Sequence, residues 1–100
     1  MFPKKIEEFV VTLGRKTTQG EISWQYDDNN ATVKTTTPGV NVTLRYSFNE
    51  IKEVGEFVLY YFDENVNKEY RFYTSQEWND YDNARMLFDI AQSSGIKLPF

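Results

Sequence analysis

The chain has no cysteine and no histidine among its 100 residues. Without Cys there is no disulfide, no thiolate nucleophile and no Cys-ligated zinc or iron–sulfur cluster. Without His the commonest neutral-pH base and metal ligand are gone, and neither a Ser-His-Asp nor a Cys-His site can be assembled. Acid–base work would fall to carboxylates, Lys or Tyr. A metal would need an oxygen-only shell, the preference of calcium and magnesium. Neither glycine-rich phosphate loop, G-x-x-x-x-G-K or G-x-G-x-x-G, occurs. No apolar run approaches the roughly 20 residues of a membrane span. The opening Met1-Phe2-Pro3-Lys4-Lys5 is charged where a secretion signal needs an apolar stretch. These absences lead to the expectation of a cytoplasmic, non-catalytic protein with no cofactor and no membrane association.

What is present is aromatic and acidic. Phe, Tyr and Trp make up 17% of the residues and hydrophobic residues 40%, too many for a disordered chain. One hundred residues form one domain, and a chain of that length buries roughly two thirds of its unfolded surface around a single core. Eleven basic against 15 acidic residues leave a net charge of −4.

Ile6, Phe9, Val10 and Leu13 recur at i, i+3, i+4 and i+7, which predicts a helix over residues 3–13 with Pro3 in its first turn and Gly14 just past its end. The period then changes to two. Ile22, Trp24 and Tyr26 alternate with polar residues. Thr32 to Thr36 is β-branched, and Val40, Val42, Leu44, Tyr46 and Phe48 form the longest alternation. Glu56 to Phe62 is apolar on both parities, and Glu69 to Tyr73 is a short fifth strand. Thr74-Ser75-Gln76-Glu77 has the form of a capping box, predicting a helix from there to about Ser93. Short turns between consecutive strands favour an antiparallel meander. One apolar face per strand favours a two-layer α+β domain. The expected fold is α-β5-α: a five-stranded antiparallel meander with an N-terminal and a C-terminal helix packed on one face.

Leu13, Thr17, Gly20, Ile22 and Trp24 form an L-x3-T-x2-G-x-I-x-W string. In this the chain resembles short uncharacterised bacterial and phage open reading frames that pair such a string with a meander and a C-terminal helix. The resemblance implies a bacterial or phage source and the two-layer fold. It carries no activity.

Two surfaces are candidates for function. If one face of the sheet is roofed by helices, the other carries Lys34, Arg45, Arg71 and Tyr73 together with one parity of the fourth strand, either Phe57, Leu59 and Tyr61 or Val58, Tyr60 and Phe62, with Tyr61 taken as the site candidate. Large apolar side chains on an open face usually mark an interface. The second candidate is the end of the sheet where alternate turns gather Asp27, Asp28, Glu50 and Glu53, with Glu56, Glu77 and Asp80 nearby. Asp63, Asn65, Asn67 and Glu69 faintly imitate an EF-hand opening, but Lys68 and Thr74 stand where that loop needs Gly and Glu, so a polar hairpin turn is expected. The functional expectation is a binding protein acting on a protein partner or on a second copy of itself as a homodimer, through the open face or the acidic end. A small-molecule or divalent-metal binding domain is the main rival. A single-stranded nucleic-acid binder ranks third, because a net charge of −4 repels phosphate unless basic residues cluster.

Overall fold

The computed structural model describes residues 1–99. The order is α1 (Lys4–Thr18), β1 (Gln25–Asp27), β2 (Thr32–Thr37), β3 (Val40–Asn49), β4 (Val54–Asp63), β5 (Lys68–Ser75) and α2 (Tyr81–Ser93). The five strands form one antiparallel sheet in sequence order, with both helices on one face: an α+β domain in two layers. Register follows the apolar alternation. Val33, Leu44, Leu59 and Phe72 make one row of the roofed face, and Tyr46, Phe57 and Thr74 another. A one-residue slip would turn each row toward solvent. Phe57 sits at the centre, with ring centroids of Tyr46, Tyr81 and Phe88 at 5.2, 5.3 and 5.6 Å.

The pairing settles which parity of β4 faces the helices. Leu44 points inward and pairs with Leu59, so Phe57, Leu59 and Tyr61 lie on the roofed face and Val58, Tyr60 and Phe62 on the open one. Tyr61 is therefore not an open-face residue. Its ring packs edge-on against Phe9 of α1 at 5.7 Å. Tyr60 occupies the open-face position instead.

Both helices have boundaries other than those expected. Gly14 does not end α1, because the apolar stripe continues through Thr17, a buried residue. The Thr17 hydroxyl donates to the Leu13 carbonyl at 2.7 Å and accepts from the Trp24 indole at 2.9 Å, so a polar side chain is satisfied inside the core. The helix stops at Gly20, whose φ of +78° suits a residue without Cβ. Gly20 N–H donates to Thr17 O and Glu21 N–H to Lys16 O, the two bonds of a Schellman ending. At the other end of the chain, Thr74 and Ser75 finish β5 instead of capping a helix. The Ser75 hydroxyl accepts from the Glu77 N–H in a local turn, and α2 begins only at Tyr81.

The helices lie side by side and run in the same direction. At their starts, Phe2 N–H donates to the Asp80 carboxylate at 2.6 Å, and the Thr74 hydroxyl donates to the same group. At their ends, Trp24 joins Thr17 through its indole and Ser94 through its backbone N–H at 2.8 Å. Asp80 is buried, so it ties the N-terminus, β5 and α2 together and belongs to no acidic surface.

Candidate functional site

Two adjacent rows build the middle of the open face. One runs Gln25, Lys34, Thr43, Tyr60, Arg71; the next runs Asp27, Thr32, Arg45, Val58, Tyr73. Lys34, Arg45, Arg71 and Tyr73 therefore share a face as expected. Tyr60 lies among them, with the Arg71 guanidinium 5.5 Å from its ring centroid.

The β1–β2 turn walls one side. The Asp27 carboxylate accepts from the Asn29 N–H at 3.1 Å and from the Asn30 side-chain amide at 2.7 Å. Those bonds, the Asn30 side chain foremost, hold the Asp27 carboxyl below its ordinary range, since they favour the charged form. Ala31 takes a positive φ to close the turn. Between this turn and β4 is a shallow, open recess of about 500 Å³ whose lining includes Asp27, Asn30, Thr32, Lys34, Arg45 and Tyr60.

The charges on this face differ in their partners. Arg71 pairs with Glu69 at 3.4 Å. Glu56 accepts the Tyr73 hydroxyl and the Asn49 amide, and the hydrogen bond to a carboxylate pushes the Tyr73 phenol above its ordinary value. Lys34 and Arg45 have no carboxylate within ion-pair distance among the described residues. Two cations outside any ion pair, two threonines and an aromatic ring can hold an anionic group and an adjoining flat or apolar one, with the Asp27 carboxylate, on which the Lys34 charge already acts, as the competing anion.

The acidic turns share an end of the sheet but not a site. Asp27 pairs with Thr32, which pairs with Arg45, whereas Glu50 lies five residues further on, just past the end of β3. At about 3.4 Å per residue the two turns are offset by roughly 17 Å. Several of these acids also have local partners. Asp28 accepts the Tyr26 hydroxyl at 2.9 Å, raising that phenol's pKa, and Glu77 pairs with Lys52 at 3.6 Å. Glu53 adopts a positive φ within the β3–β4 turn, and Glu50 is exposed. Among the described residues no three carboxylates come together as a metal site. Asp63 caps its own turn by accepting the Asn65 N–H, and Asn67 takes a positive φ: a hairpin turn, as the sequence predicts. No helix among the described residues is long and apolar enough to cross a membrane.

Sequence reasoning held Tyr60 as one of two parities but took Tyr61 as the candidate, and it placed Asp80 with the acidic end, not in the core. The signal for Tyr60 was its cross-strand neighbour: pairing Leu44 with Leu59 puts Tyr60 in the polar row of Thr43. Nothing local marks Asp80, because its donors come from Phe2 and Thr74. Comparison with protein-family models, curated proteins and solved structures gives no match to this chain.

Proposed function

We propose that this is a small, non-catalytic binding protein that engages an acidic segment of a protein partner on its open sheet face. The observation that carries this reading is the pair Lys34 and Arg45, in no ion pair among the described residues, lining a shallow recess with Tyr60 and one carboxylate, Asp27, in a chain of net charge −4. A cation outside any ion pair at the wall of a recess supports an anionic ligand more readily than one already matched within its own face, as Arg71 is by Glu69. The openness of the recess suits an extended peptide better than an enclosed small molecule, which usually has most of its surface buried. The lack of any His or Cys, with the Asp27 and Asp28 carboxylates engaged in their own turn, supports a role in binding over catalysis.

A titration followed by amide NMR tests this reading with two defined probes, a short Glu-rich peptide containing one aromatic residue and a thymine oligonucleotide. Shifts along residues 32–34, 43–45 and 58–60 with the peptide, weakened by salt and by Lys34→Ala with Arg45→Ala, are expected. A stronger response to the oligonucleotide would transfer the face to single-stranded nucleic acid. Indifference of the open face to both probes would remove the reading.

A further inference from the structure

The sheet has two edges, and they are finished differently. The edge strand β1 is only three residues long. Just before it, the Trp24 N–H is taken by Ser94 of the α2 C-cap and the Ser23 carbonyl by the Thr35 hydroxyl. The opposite edge, β5, is eight residues long, and Lys68–Arg71 and Tyr73 are exposed. Its backbone parity is fixed at two points. Gln76 N–H donates inward to the Gly55 carbonyl, while the Tyr73 carbonyl points outward and accepts the Met1 nitrogen at 3.0 Å. By alternation, Glu69 and Arg71 turn their N–H and C=O away from β4. Among the described residues these groups have no backbone partner, a template for another strand.

Charges along an edge ordinarily deter such pairing. Here their order is self-complementary. In an antiparallel pairing about a two-fold axis, outward residues must meet outward residues. An axis through Arg71 sets Arg71 against itself, and one through Glu69 sets Glu69 against itself. An axis through Tyr70 sets Glu69 opposite Arg71 of the second copy twice, brings the two Tyr70 rings together and stops short of Tyr73, where Met1 already sits. Tyr70 is 37% exposed in one copy, with the Lys68 ammonium 4.9 Å from its ring. The Arg71–Glu69 pair at 3.4 Å within one strand is exposed and weak, so exchanging it for two crossed pairs sacrifices little.

We infer that β5 pairs with β5 of a second copy, centred on Tyr70, to form a continuous ten-stranded sheet. Both pairs of helices then lie on one side, and the two open faces join into one surface. Only residues 68–72 of each edge take part, so the dimer forms at the weak, concentration-dependent end of the range.

Sedimentation from low micromolar to hundreds of micromolar tests this, with amide hydrogen exchange at both extremes. The expected result is a rise in mass from 11.8 kDa toward twice that value, with protection appearing at the Glu69 and Arg71 amides as concentration rises. Glu69→Arg alone and Arg71→Glu alone should each weaken association about tenfold, since two cross-strand pairs become repulsive, and the double swap should restore it. A single species of monomer mass throughout would overturn the inference. So would self-association that leaves the Glu69 and Arg71 amides unprotected, or that ignores both single reversals. Circular dichroism of each variant keeps misfolding from being read as lost pairing. Retention of the open-face NMR response in Glu69→Arg would separate this edge from the peptide-binding reading.

Discussion

On the roofed face of β4, Phe57 lies in ring contact with three other aromatic residues and is 2% exposed. Three residues along the same strand, on the opposite face, Tyr60 meets one guanidinium and solvent. The two rings are similar in size and belong to one hydrogen-bonded ladder, so the backbone does not distinguish them. What differs is the second layer. On one face α2 and α1 convert side-chain area into burial, and the sheet depends on that contact for stability. On the other face the interactions are pairwise, exposed and local: Arg71 with Glu69, Tyr73 with Glu56, Asp27 with its own turn. Stability is concentrated on the first face, and the second can change its residues at little structural expense. That division is what a binding surface on a small scaffold requires.

The sharpest way to test the contrast is Phe57→Ala. It empties the centre of the aromatic cluster and should destabilise the domain by about 3–5 kcal/mol, read as a lower urea midpoint with an unchanged slope. Next in size is Asp80→Ala. Its carboxylate is the acceptor for Phe2 N–H and the Thr74 hydroxyl, both at buried residues, so removal leaves two donors unmatched. A loss of about 2–4 kcal/mol is expected, together with fast amide exchange over the first turn of α1. Asp80→Asn, which keeps one acceptor oxygen, should recover part of it.

The same contrast explains how much could be read from residues alone. Period-two alternation in β3 and the stripe of α1 are local signals strong enough to give the element order, the meander and the layer count. They also placed Lys34, Arg45, Arg71 and Tyr73 on one face. Glu56 to Phe62 is apolar on both sides because one side meets helices and the other carries Val58, Tyr60 and Phe62, so periodicity could not choose between Tyr60 and Tyr61. Only pairing with Leu44 decides it. The helix ends failed for a related reason. Gly14 looks like a stop, but Trp24, seven residues beyond Thr17, satisfies the polar group that lets α1 continue. Thr74 to Glu77 reads as a helix cap until β4 claims Thr74 and Ser75 for the ladder. Tertiary partners overrode each local motif. The grouping of acids at one end was topologically right, but strand length separated the turns.

Gly55 offers a smaller break on the roofed side. A Cβ built there would lie 2.6 Å from the Tyr81 hydroxyl and 3.0 Å from the Tyr46 ring, in a position that is buried. The two rings are held by Phe57, so they cannot swing away without losing that packing. Gly55→Ala should destabilise by about 1–3 kcal/mol despite the gain in strand propensity. The same corner predicts an alkaline weakness. Burial, reinforced by nearby Tyr46, raises the Tyr81 phenol above its ordinary value of 10. A group that ionises less readily folded than unfolded contributes stability that is complete below the unfolded pKa and lost as pH rises through the folded one. Urea midpoints should therefore fall above about pH 10, and Tyr81→Phe should flatten that fall. An unchanged alkaline slope in the variant would assign the loss to other tyrosines.

The smallest expected effects lie on the open face, and they sharpen the comparison because they are small. Arg71 is 70% exposed at its side chain, and its contact with the Tyr60 ring is of the kind that contributes about 0.5–1 kcal/mol at exposed sites. Arg71→Ala and Tyr60→Leu, measured singly and together, should give a coupling energy within that range, and Lys34→Ala or Arg45→Ala should alter stability by no more than about 0.5 kcal/mol. Loss of binding to the acidic peptide in the same Lys34 and Arg45 variants would then report the surface and not the fold. If either substitution instead destabilised the domain as Gly55→Ala should, the open face would be part of the scaffold, and the unpaired cations would need a structural explanation.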